Sequence, residues 1–239
     1  MEGISRPGQM FIGMIALGGL AIVAYAALQI HPWHHYQFLT LLVISAVASR
    51  MRVKLPGVDG NMSVNLPFML IAAAQLSLFE AVAVALVSAG VQCIPKAGGK
   101  VQPVKILFNV STMVLAAGVA AMLLHNGWLA SSTYRIASLP LVAACSMFFL
   151  VNTLPVAMII SLTEGSHLLR IWSSIFHLSF PYYVACTGLT SIITAMSQFI
   201  GWQAMLILPV MLLMYRCYRL YFGRTAAVPA AAHAHAAGA

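Results

Sequence analysis

VNLPFMLIAAAQLSLFEAVAVALVSAGVQCI, residues 64–94, is an apolar run interrupted by one carboxylate, Glu80. Its 31 residues exceed the roughly 20 that one helical crossing of the hydrocarbon layer takes, and fall short of two full crossings. The flanking cations decide how it is read. Arg50, Arg52 and Lys54 precede it; Lys96, Lys100 and Lys105 follow it. A single crossing would leave one triplet outside. A run that enters and returns keeps both on the cytoplasmic side, where Lys and Arg accumulate in membrane proteins. The expectation is therefore a hairpin of two short helices, about 64–78 and 80–94, turning near Ser77–Glu80. Each would be about 22 Å long. Helices that short must be packed inside a bundle or sit where the bilayer thins.

The rest of the chain has the same character. Of 239 residues, 62% are hydrophobic and 7% charged, with a mean hydropathy of +0.93. A soluble domain needs more polar surface than that. Further apolar segments lie at 10–30, 37–49, 104–125, 137–161, 179–199 and 202–222. No alternating strand pattern is visible, which argues against a β-barrel, and no long polar region suggests a soluble domain. The fold expected is all-α: a polytopic transmembrane bundle of six full spans plus the 64–94 hairpin. Residues 1–224 form its single domain, and 225–239 a disordered Ala-, Pro- and His-rich tail. The first run has only Arg6 before it and no clean small-residue cleavage site, so it reads as a retained helix.

With the N-terminus inside, every Lys and Arg except Arg135 falls on the cytoplasmic side, as do both termini. Trp33, Trp128 and Trp202 then mark outer ends and Trp172 an inner one. The net charge of +8 reads as orientation, not as a nucleic-acid footprint. In GSHLLRIWSSIFHL, residues 165–178, Leu168, Leu169, Trp172, Ile175 and Phe176 recur at helical spacing. This predicts a helix lying on the inner surface and leading into the 179–199 span. Cys93, Cys145, Cys186 and Cys217 are widely separated, form no CxxC pair and read as apolar packing residues.

Candidate binding residues follow from cost. Glu80 is the one acid within an apolar run, and a carboxylate there is a functional candidate: a proton-linked switch or a counter-charge for a cationic ligand. The competing account makes it a helix cap at the hairpin turn. Gln75, Asn109 and Asn152 are candidates for lining a ligand cavity with Glu80. Like Asn65 and Gln92, they equally suit hydrogen bonds between helices. His31, His34, His35 and His125 all fall on the outer side and are candidate metal or haem ligands, although no HExxH motif accompanies them. Interfacial histidines beside Trp33 and Tyr36 are the alternative, and no cofactor is specified. Arg216, Arg219 and Arg224 close the last span among tyrosines. They are candidates for facing a protein partner, or form an inner-leaflet anchor. No Gly-x-Ser-x-Gly elbow, Walker loop or paired carboxylates occur, and no enzyme is expected.

Four stretches carry a resemblance: SRMRVKLPGVDGNMSVNLPFMLIAAAQLSLFEA (49–81), KVQPVKILFNVS (100–111), LVNTLPVAMIISLTEG (150–165) and LPVMLLMYRCYRLYFGR (208–224). Together, over about residues 10–224, they resemble the N-terminal membrane region that precedes HD-GYP or GGDEF domains in bacterial cyclic-di-GMP signalling proteins. That resemblance implies a sensor bundle in a bacterial inner membrane, whose helix at Met205–Phe222 leads toward an output domain. No HD, GYP or GGDEF motif occurs here, so cyclic-di-GMP synthesis or hydrolysis is not carried over. The first expectation is a non-enzymatic membrane sensor or adaptor acting through a separate cytoplasmic partner. The alternatives are a small-molecule binding or uptake subunit of a transporter, and a structural accessory subunit of a larger membrane complex.

Overall fold

Ser77 and two prolines set the limits of the short helices. Pro67 stands in the first turn of one, where its missing N–H has no intrahelical partner to lose. That helix ends where Leu76 turns extended. Ser77 starts the next with a capping box: its side chain accepts from the Glu80 N–H while Glu80 accepts from the Ser77 N–H. Ile94, which precedes Pro95, is extended and closes it.

The computed structural model of the chain describes residues 6–29, 34–54, 61–94, 102–125, 138–196 and 216. Among them are seven helices: α1 (Arg6–Leu28), α2 (His35–Ser49), α3 (Leu66–Gln75), α4 (Leu78–Cys93), α5 (Pro103–His125), α6 (Ser138–Glu164) and α7 (Leu168–Met196). α3 and α4 are the expected hairpin. The expected span 202–222 and tail 225–239 lie outside the described residues, apart from Arg216.

α3 is the hub. It packs against α2, α4, α5 and α7. Every residue from Leu66 to Ala73 is buried, and Phe68, Leu70, Ala72 and Ala73 have no exposed surface. At ten residues, or about 15 Å, it reaches only half-way across a hydrocarbon layer. Its ends are tolerable because other helices, not lipid, surround them. Around it, small residues let backbones approach. A Cβ on Gly19 of α1 would meet Ser111 backbone atoms of α5 at 3.0 Å, and one on Gly118 would overlap Ile22. Ser45 of α2 and Ser88 of α4, both fully buried, share a 2.6 Å hydrogen bond. By contrast, Met10, Met14, Leu17, Leu20 and Leu28 of α1 are exposed, an apolar face suited to acyl chains.

Three described helices are long and apolar enough to cross a membrane: Arg6–Leu28, Pro103–His125 and Leu139–Glu164. Six full spans are not reached among the described residues, and the expected span 202–222 lies outside them. α2 has 15 residues, about 22 Å, shorter than the layer. α7 differs in another way. The expected inner-surface helix at 165–178 and the span at 179–199 are one continuous helix of 29 residues with Pro181 inside. Its first turns lie on α6 because Trp172 and Phe176 pack against that neighbour. Gly165, in the left-handed region at φ 68°, ends α6, and its N–H bonds the Ser161 carbonyl at 3.0 Å.

A second correction concerns strands. Arg52–Lys54 (β1) and Asn61–Ser63 (β2) pair antiparallel, with Val53 opposite Met62. Three-residue strands are too short for a period-2 pattern. The available signal was the cluster of Pro56, Gly57, Asp59 and Gly60 between them.

Two long-range contacts fix which turns share an end of the bundle. The His34 main chain bonds Glu80, which brings the α1–α2 and α3–α4 turns together. At the opposite end Arg50 donates to the carbonyls of Val91 and Ile94, at 3.4 and 3.2 Å, capping the C-terminus of α4.

Candidate functional site

The first candidate is the carboxylate of Glu80, 1% exposed at the N-terminus of α4. Oε2 accepts from the Ser77 N–H at 3.0 Å and the Ser77 hydroxyl at 2.9 Å. Oε1 accepts from the His34 N–H at 2.8 Å. The His34 ring lies 3.5 Å from Oε2 through Nδ1 and is 43% exposed. An ionised carboxylate offers acceptors only, and it receives the Ser77 N–H, the Ser77 hydroxyl and the His34 N–H. The contact with the His34 ring is the longest of the four. Glu80 is therefore both a helix cap and a tie between two turns that are 46 residues apart in sequence.

The other sequence candidates do not gather around it. Gln75 ends α3; its Nε2 is enclosed and has no hydrogen-bond partner among the described residues. Asn109 is exposed on α5, toward the opposite end of the bundle from Glu80. Asn152 on α6 donates to the Tyr183 hydroxyl of α7 at 2.9 Å. His125 is half spent on its own helix, with Nδ1 2.7 Å from the Ala121 carbonyl oxygen. His34 and His35 are exposed neighbours at the start of α2. Among the described residues, no group of three His, Cys, Asp or Glu side chains converges to hold a metal. Arg216 is exposed; His31, Arg219 and Arg224 lie outside the described residues.

A second place was not singled out in the sequence. α6 and α7 enclose a cavity of about 500 Å³. Phe149 of α6 and Trp172, Phe176, Phe180 and Tyr183 of α7 form its walls. Phe176 and Phe180 stack at 4.6 Å, and Phe149 meets the Tyr183 ring edge-on at 4.7 Å. The Trp172 indole N–H donates to the Thr153 hydroxyl at 3.3 Å, which fixes that ring. The signal was present in sequence. Trp172, Phe176 and Phe180 follow at intervals of four, and Tyr183, Thr187 and Ser191 carry the same face onward. It is visible only when 168–196 is taken as one helix.

Apolar spans, a buried ten-residue hub, an inter-turn tie and an uncharged aromatic cavity describe a membrane-embedded, lipid-contacting bundle. No curated protein and no solved structure matches the chain. Residues 20–221 match MASE9, a family of membrane-associated sensory-type domains without catalytic function, and the chain belongs to that family.

Proposed function

We propose that this chain is the non-enzymatic sensory part of a bacterial signalling system. It lies in the inner membrane with several crossings and both chain ends on the cytoplasmic side. It acts on a cytoplasmic protein partner through the end of the bundle that carries its cations. The observation that carries this reading is the family match over most of the chain. The charge layout supports the orientation. Arg50 sits at the end opposite Glu80 and His34, and α5 and α7 begin near Lys105 and Arg170. Cations concentrate on the cytoplasmic side. The exposed Arg216, with Arg219 and Arg224 after it in sequence, is the candidate contact with the partner.

Two measurements test it. With the native cysteines replaced, a cysteine at Tyr36 should react with an impermeant maleimide added outside intact cells, and one at Ser166 only after lysis. The reverse pattern refutes the orientation. A photo-reactive residue at position 216 should cross-link in cells to a protein with a GGDEF or HD-GYP domain, and Arg219→Glu should weaken the adduct. Adducts with a transporter ATPase, or with lipid alone, would refute the relay.

A further inference from the structure

The α6–α7 cavity plays no part in the cytoplasmic contact, and its walls specify a ligand class. At about 500 Å³ it falls within the roughly 300–1,000 Å³ of small-molecule sites. No charged side chain among the described residues lines it. An ion entering it would shed hydration without gaining a partner. Phe149 stands edge-on to Phe176 at 5.6 Å and to Phe180 at 6.3 Å, so ring faces and edges both border the space. Aromatic rings pack well against such walls.

Ser146, Thr187 and Ser191 place hydroxyls toward the end away from Trp172. There the Ser146 hydroxyl donates to the Val142 carbonyl and the Thr187 hydroxyl to the Tyr183 carbonyl, both at 2.8 Å. Their hydrogens are used; the Thr187 oxygen also lies 2.6 Å from Cys145 Sγ, so the Ser146 oxygen is the freer acceptor. The rim is apolar and open: Val142, Phe180 and Val184 are each about half exposed. α6 is one of the three helices fit to cross a membrane, so this mouth faces acyl chains.

We infer that the cavity binds a neutral, lipid-soluble aromatic molecule carrying one hydroxyl or N–H donor and arriving sideways from the bilayer. The rings sit among Phe149, Phe176, Phe180 and Tyr183; the donor meets Ser146 or Thr187. The site also touches the hub. Tyr183 is pinned to α6 by Asn152. Its neighbour Tyr182 accepts the backbone N–H of Leu66 at the start of α3. Pro181, just before them, supplies no N–H to the preceding turn and leaves α7 easier to bend there. An occupant pressing on Tyr183 thus acts on the helix that anchors α3. This role as sensory input rests on the function proposed above; binding itself does not.

The test uses the full chain in lipid nanodiscs and 4-(hydroxymethyl)benzophenone as a photo-reactive probe. Labelling should saturate, map to 142–150 and 172–191, and be displaced by 2-naphthol. The anion 4-benzoylbenzoate should label at least tenfold less. A Cβ at Gly188, which lines the cavity, meets no atom within 4 Å. Gly188→Leu should therefore fill the space without backbone clash and reduce labelling at least tenfold. Gly13→Leu, on the exposed face of α1, should leave labelling unchanged. Should Gly188→Leu fail to purify as a monodisperse species, Ser146→Ala with Thr187→Val serves instead, lowering affinity for the probe to that for plain benzophenone. Unsaturable labelling spread over exposed helix faces, or labelling indifferent to these variants, overturns the site. Intact labelling with no cytoplasmic cross-link would sink the relay and leave the site standing.

Discussion

Replacing Glu80 by alanine removes the acceptor shared by Ser77 and His34. The Ser77 hydroxyl can rotate to another partner, but the Ser77 and His34 backbone N–H groups cannot. Hydrogen bonds to a charged partner contribute about 1.5–3 kcal/mol each. Ser77 is 8% exposed, so its N–H meets little water after the change. The His34 N–H bond is only part-buried, so water can replace part of it, and about 1 kcal/mol is a fair figure there. The total is about 2.5–4 kcal/mol. At roughly 2–4 °C per kcal/mol for a chain of this size, Glu80→Ala should lower the melting temperature by about 5–15 °C. Loss of the monodisperse peak in size-exclusion chromatography after heating in detergent reads that shift. Two variants make the test selective. Glu80→Gln keeps one acceptor oxygen and should lose about 1–2 kcal/mol. His34→Ala keeps the main-chain N–H and removes only the long, exposed ring contact, so it should lose less than about 1 kcal/mol. A His34→Ala chain as damaged as Glu80→Ala would show that the imidazole, not the backbone, makes the tie. A Glu80→Ala chain within about 2 °C of the parent would refute the inter-turn lock, since that is below the smallest shift the structure implies.

Other changes probe the packing. Gly19→Ala sets a methyl against immovable backbone of Ser111 and should cost about 1–3 kcal/mol, read as a lower melting temperature. Gly118→Ala meets the Ile22 side chain instead, so adding Ile22→Ala should restore most of the loss in a double-mutant cycle; additive losses would contradict the contact. Arg50→Met should weaken the C-terminal cap of α4 by about 0.5–1 kcal/mol and speed amide exchange near Val91–Ile94 without altering the Glu80 end. Ser88→Ala breaks the bond to Ser45 and should cost about 0.6 kcal/mol, the average for such bonds between membrane helices.

Much of this protein was legible in its residues. An apolar run of 31 residues between two cation triplets allows little besides a returning hairpin, and Ser77 with Glu80 three residues on is a local signature that needs no tertiary knowledge. The helical, membrane character follows from composition, because so few polar side chains cannot cover a water-facing surface. The family resemblance led to the same sensory class that the match over 20–221 shows.

The tertiary structure alone decided which groups meet. Glu80 gains its third donor from the backbone of His34, and main-chain N–H groups leave no trace in sequence. Asn109 and Asn152 look alike as amides in apolar helices, yet one is exposed and the other holds Tyr183. The phase of each helix about its axis sets that difference, and packing against neighbours sets the phase. The expected division at 178–179 does not exist: one helix runs through Pro181 with α6 packed along it. Only with α7 whole do its aromatic residues form one face, and only with α6 beside it does that face enclose a cavity. A space between helices belongs to neither sequence segment, which is why spacing and composition alone could not reveal it.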